Sequence, residues 1–145
     1  MDAPAAPHIS MTRIIRAPRQ AVFEAWTTPS LLMKWWGPEG VRCTAAEIDL
    51  REGGEYRIAN QHSDGSVTWI SGVFERVRPP EELVYSWNIG IPGADGSRVK
   101  VEFRPHDEGT ELFLTHKRLE AGVREMHVEG WSGCLDSLEG MFAVG

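Results

Sequence analysis

The order of apolar and polar positions divides the chain into three stretches of different period. Residues 8–16, HISMTRIIR, are rich in β-branched side chains and predict a strand. Ala17-Pro18 ends it, and Pro18 suits the first turn of a helix. Val22, Phe23 and Trp26 then recur at helical spacing, so a short amphipathic helix is expected from Pro18 to Trp26. Thr27-Thr28-Pro29-Ser30 interrupts it. Ser30 is placed to cap a second short helix running from Leu31 to about Trp36. Gly37-Pro38-Glu39-Gly40 stops that helix.

From Val41 to His116 the pattern is one of strands and turns. Strands are expected at 41–50, 55–61, 67–77, 82–89, 97–104 and 110–116. Glu52-Gly53-Gly54, Ser63-Asp64-Gly65-Ser66, Pro79-Pro80-Glu81, the run 92–96 and Asp107-Glu108-Gly109 supply the turns. Gly72 is a candidate bulge. Leu83, Tyr85, Trp87 and Ile89 share one face of their strand. Val99, Val101 and Phe103 alternate with Lys100, Glu102 and Arg104, the mark of a strand with one wet face. Leu112, Leu114 and His116 line one side of the last strand.

The period then changes. From Val123 the positions His127, Trp131, Cys134, Leu135, Leu138 and Phe142 follow one another in helical steps and define a single face. Glycines at 122, 130, 133 and 140 interrupt this helix, each costing roughly 0.5–1 kcal/mol relative to alanine. Gly130 and Gly133 flank Trp131, so they either let the helix approach the sheet or leave space beneath it. The element order is strand, two short helices, six strands and a long helix. A sheet of that length twists and curls, and a lone helix packs in its concave side. The expected fold is thus α+β: a curved antiparallel sheet of about seven strands around one long C-terminal helix.

The chain has 145 residues, enough for one domain with its own core. A single domain is expected over 8–145, after an Ala/Pro-rich disordered lead-in over 1–7 that lacks the features of a signal peptide. The net charge of −6 speaks against nucleic acid and against anionic membranes as partners. No stretch is long and apolar enough to span a bilayer, and a cytoplasmic location is expected. Cys43 and Cys134 lack CxxC spacing and read as small buried hydrophobes. The histidines show no HExxH-like spacing, so neither a metal nor another cofactor is expected. No GxSxG is present, and Gly53-Gly54 precedes no helix, which makes it a turn and not a phosphate loop. No catalytic residue is assigned.

Several phrases carry a family resemblance. They are IIRAPRQAVFEAWTTPSLLMKWWGP (14–38), LREGGEYRI (50–58), DGSVTWISGVFERVRPPEELVYSW (64–87), GTELFLTHKRL (109–119) and EGWSGCLDSLEGMF (129–142). In this order they resemble the activator of heat-shock protein 90 ATPase homologue family, within the START-like (SRPBCC) superfamily of helix-grip folds. The resemblance implies a sheet wrapped around the C-terminal helix with a hydrophobic cavity between them. Members include carriers of apolar ligands, hormone receptors, aromatic cyclases and co-chaperones. The eukaryotic co-chaperones bear a separate N-terminal module, and none is expected here.

Six Trp are many for a chain of this length; such large aromatic rings fill a core or wall a ligand cavity, and six leave room for both. Candidate ligand-binding residues are Trp35, Trp36, Trp69, Tyr85, Trp87 and Trp131, with His116 and His127 as polar anchors. Trp35 and Trp36, before a Gly-Pro loop, are placed to act as a mobile lid. The leading expectation is binding of a small apolar or aromatic ligand. The alternatives are a cyclase or hydrolase acting on a small aromatic substrate through His116 or His127, and a co-chaperone or stress-response interaction module. An exposed strand edge leaves a homodimer open.

Overall fold

The computed structural model describes residues 8–37 and 40–143. The lead-in expected at 1–7, and the centre of the loop at 38–39, lie outside the described residues. The elements are β1 (Ile9–Ile15), α1 (Arg19–Thr27), α2 (Pro29–Trp35), β2 (Val41–Ile48), β3 (Glu55–His62), β4 (Val67–Arg78), β5 (Glu82–Trp87), β6 (Ser97–His106), β7 (Gly109–Lys117) and α3 (Ala121–Phe142). The fold is α+β and of the helix-grip type: a curled antiparallel sheet of seven strands in the order β1-β7-β6-β5-β4-β3-β2, holding α3 in its hollow.

Consecutive strands from β2 to β7 need only turns between neighbours, which is why each pairs with the next. β1 instead adds to β7, with Ile9 opposite His116 and Ile15 opposite Thr110. β1 and β2 therefore form opposite edges, and α1 and α2 carry the chain across the open side from one edge to the other.

Local chemistry explains two departures from expectation. α2 begins at Pro29, not after Ser30, and no side chain caps it. The ring of Pro29 already holds the backbone angle that a first helical residue needs. The bulge in β4 lies between Phe74 and Arg76, not at Gly72. Gly72 has another task. Tyr56 faces it across the β3–β4 ladder. The Tyr56 phenol lies over the glycine and donates to the Ser86 carbonyl at 2.7 Å. A Cβ at residue 72 would overlap that carbonyl oxygen and press on the tyrosine ring. A second slip, between Cys43 and Ala45, bends β2.

The hydrophobic core lies between the hollow of the sheet and the helices. α3 buries His127, Trp131, Cys134, Leu135 and Leu138, the face that its period marked, while Phe142 is only half-buried. In β6 Val99, Val101 and Phe103 are buried, while Lys100, Glu102 and Arg104 face outward. Arg104 stacks its guanidinium on Phe113 at 4.1 Å and pairs with Glu102 at 3.5 Å. Arg13 on the edge strand reaches α3, bonding Asp136 at 2.6 Å, Glu139 at 3.1 Å and Ser132 at 3.3 Å. The helix is thus tied to β1 along its C-terminal half, and the far edge at β2 stays clear of it.

Two glycines predict opposite outcomes. Gly72→Ala is expected to lower the free energy of unfolding in urea by about 2 kcal/mol or more, because backbone must move. Gly130→Ala, in mid-helix with nothing near the added methyl, is expected to raise it by about 0.5–1 kcal/mol. Equal effects at the two positions would show that the close approach at Gly72 constrains nothing.

Candidate functional site

The site begins with Trp131. α3 projects it into the hollow, where the indole is buried. Trp26 stacks on it at 6.2 Å, Trp36 meets it edge-on at 5.4 Å, and Trp87 is tilted against it at 5.3 Å. An indole N–H sunk in such a cluster needs an acceptor. Trp131 Nε1 donates to His116 Nδ1 at 3.0 Å, and Trp87 Nε1 donates to His127 Nε2 at 3.2 Å.

Those two bonds set the protonation of both rings. An indole only donates, so His116 Nδ1 and His127 Nε2 must each carry a bare lone pair. The proton of His116 then sits on Nε2, facing Ser97 Oγ at 2.8 Å. That of His127 sits on Nδ1, facing the Val123 carbonyl at 2.9 Å. The two imidazoles lie 5.3 Å apart, so strand and helix do bring them together. Burial, and next the neighbouring His127, hold the His116 imidazole down at about 3. A serine beside a histidine suggests hydrolase chemistry, but here His116 presents a hydrogen to Ser97 and has no lone pair left to take one. Cys134 is no better a nucleophile: burial pushes its thiol up to about 12.

Two spaces adjoin this cluster. An inner void of about 20 Å³, room for roughly one water, lies among Trp26, Leu32, Tyr56, Ile58, Phe74 and Tyr85. A larger groove of about 170 Å³ lies between the N-terminal half of α3 and the ends of β2–β5. Helix α3 contributes Met126, His127, Gly130, Trp131 and Cys134 to it. The sheet contributes Val41, Asn60, His62, Thr68, Ile70 and Trp87. Ile89 and Ile91 close one side. The loop bearing them is gathered by Asp95, whose carboxylate accepts from the backbone N–H of Ile89 and Gly90 at 2.8 and 2.9 Å. Among the described residues nothing lies within 4 Å of a Cβ placed on Gly130, so that glycine leaves space beneath the helix. Trp36 and Trp87 border both spaces. Among the described residues no Lys, Arg, Asp or Glu lines the groove, and no three His, Cys, Asp or Glu are grouped to hold a metal.

Of the residues expected to bind, Trp36, Trp87, His127 and Trp131 line the groove. His116 stands behind Trp131 and anchors it. Tyr85 borders only the inner void. Trp35 is a core residue: it is fully buried, donates to the Ala25 carbonyl at 2.9 Å and borders neither space. The expected mobile lid is therefore corrected, since Trp35 and Trp36 are both packed inside. Trp69 is a second correction. It is 46% exposed on the outer face of the sheet, under the Arg57 guanidinium at 4.8 Å. Its strand carries apolar residues in both files, so alternation could not tell inside from outside. Trp26 and Asn60 were missed, whereas of the two outcomes the sequence left open for Gly130 the structure shows space beneath the helix. Asn60 had a signal: it follows Tyr56 and Ile58 in the buried file of β3, a polar side chain where apolar ones are the rule.

The sequence from 16 to 143 matches the family model described as Activator of Hsp90 ATPase homolog 1-like protein. The chain therefore belongs to that family, within the START-like (SRPBCC) superfamily. Among solved structures, a protein from Chromobacterium violaceum is similar at 25% identity, covering 95% of this chain and 98% of its own, with a TM-score of 0.87. An AHSA1-like protein from Aeromonas hydrophila is similar at 26% identity, covering 92% of this chain and 90% of its own, with a TM-score of 0.80. None of the curated proteins matches the chain. No described helix is long and apolar enough to cross a membrane.

The histidine bonds predict an acid dependence. The unfolded His116 takes up a proton below about pH 6.5, whereas the folded one resists until about 3, so stability is lost as pH falls through that window. From pH 7 to 5 this one group should remove about 2 kcal/mol. Gln at 116 still accepts from Trp131 and donates to Ser97, but does not titrate. Urea midpoints at pH 7 and 5 should therefore differ less for His116→Gln than for the parent; an equal loss in both proteins would refute the assignment.

Proposed function

We propose that this protein binds a small, uncharged, largely apolar molecule in the groove between α3 and the ends of β2–β5. The observation that carries the reading is the groove itself: about 170 Å³, walled by Trp36, Trp87, Trp131, Ile70 and Met126, with open space under Gly130. Cavities of about 150 Å³ with apolar walls accept a single aromatic ring, and pockets for drug-sized ligands begin near 300 Å³. The size therefore favours one ring or a short branched chain. The lining favours a neutral molecule, because a charged group would lose its hydration with no counter-ion in reach.

Holding is favoured over proton transfer. The ring nitrogens of His116 and His127 are all engaged, and turning either ring to act on a ligand would strip an indole of its acceptor. Affinity would come from transfer of apolar surface out of water, at about 25 cal/mol per Å².

The test exploits the glycine in the wall. Toluene, indole and short aliphatic alcohols titrated against intrinsic fluorescence should give saturable changes, because Trp36, Trp87 and Trp131 border the groove. Gly130→Leu fills the space from the helix side and should weaken binding by about tenfold or more, with the thermal midpoint kept or raised. Binding unaffected by Gly130→Leu would place the ligand elsewhere.

A further inference from the structure

We propose that the groove is built for a neutral ligand carrying a hydroxyl on an aromatic ring, a molecule of the phenol class, with the hydroxyl received jointly by Asn60 and Trp36. The inference rests on the binding reading above and narrows its ligand chemistry. Two residues that line the groove each hold a buried side-chain atom with no hydrogen-bond partner among the described residues: Asn60 Oδ1 and Trp36 Nε1. Asn60 is 8% exposed and Trp36 5%. A buried polar atom left unpaired costs a folded protein free energy, and native structures hold few of them. Finding two on residues that line one groove calls for a physical account.

Their neighbours sharpen the contrast. Trp35, Trp87 and Trp131 each have an acceptor for the indole hydrogen. Trp36 alone of these four has none. Asn60 occupies the inner file of β3 beside Ile58, where a leucine of similar volume would pack without an unpaired group. The two orphan atoms are complementary. The carbonyl oxygen of Asn60 accepts and the indole nitrogen of Trp36 only donates. A hydroxyl does both at one oxygen, giving its hydrogen to Asn60 and receiving that of Trp36.

Other ligand classes fit less well. A hydrocarbon leaves both atoms unpaired. A carboxylate would satisfy Trp36 but turn a negative charge toward Asn60 Oδ1, with no cation among the described lining residues. Neither atom is open to solvent in the free protein, so receiving the hydroxyl requires the Asn60 carboxamide and the Trp36 indole to turn toward the groove. Trp36 is suited to that turn, because it has no hydrogen bond to lose.

Phenol and toluene differ by one hydroxyl against one methyl, and benzoate supplies the anion. Titration of the isotope-labelled protein should show phenol binding about tenfold or more tighter than toluene, with benzoate weaker than phenol. The Trp36 indole N–H resonance, assigned through Trp36→Phe, should move downfield with phenol and not with toluene. Asn60→Leu should erase the preference for phenol, keep toluene binding, and raise the melting temperature of the free protein by about 2–4 °C. If Asn60→Leu fails to fold, Trp36→Phe supplies the same test, since it removes the donor and should lower the phenol preference. Equal affinity for phenol and toluene, or a preference that survives both substitutions, overturns the hydroxyl assignment and leaves the apolar-groove reading standing. No resonance of the groove shifted by any of the three compounds overturns both.

Discussion

The structure depends on how one helix is held in the hollow of a sheet by an indole that must not lose its hydrogen bond. Trp131 is large enough to fill the space between α3 and the strands, and truncating such a residue typically costs about 3–5 kcal/mol. Packing alone tolerates some rotation of a helix. The bond from Trp131 to His116 does not, because its geometry is directional and the alternative is an unpaired donor in an aromatic core. His116 in turn needs Ser97, and Trp87 repeats the arrangement through His127 back to the backbone of α3. A short polar chain runs through the core and specifies how the helix faces the sheet. Arg13 adds a second, partly exposed tie at the β1 edge.

The grip is therefore tight along one side and slack along the other. Near β1 and β7, Leu135 and Leu138 are fully buried and α3 is clamped by charge. Toward β2 and the ends of β3 and β4 the helix presents Gly130 and Met126, and none of the described residues fills the gap. The groove is the space left between a helix and a sheet that curls away from it. Its chemistry follows from what surrounds it: aromatic rings already needed for the core, and two polar groups that the core does not need. On the proposed binding reading, the second fact is what separates the groove from a packing defect, because a defect has no reason to keep a carboxamide where a hydrocarbon would serve.

Much of this was legible in the sequence, and the reasons are particular. Val99 to Arg104 alternate without error because that strand has one wet face, so its inner residues could be named at once. His127, Trp131, Cys134, Leu135 and Leu138 fall on one helical stripe because only that stripe is dry. Trp69 misled because β4 carries Val67, Trp69 and Val73 on its outer file and Ile70 and Phe74 on its inner one, so both faces read as apolar. Trp35 and Trp36 are neighbours of the same type, yet one has a carbonyl in reach and the other has none. No property of the residues themselves separates them.

By itself the sequence determined the element order, the curled antiparallel sheet, the buried stripe of α3 and the family, because all of these follow from periodicities and phrases local to a few residues. Only the tertiary structure decided which aromatic rings meet, which nitrogen of each histidine bears the proton, and where space is left over. Those properties belong to groups brought together from distant parts of the chain: Trp131 and His116, Trp87 and His127, Asn60 and Trp36. A hydrogen bond, or its absence, is a relation between two positions in space, and it is settled only when helix and sheet have closed on one another.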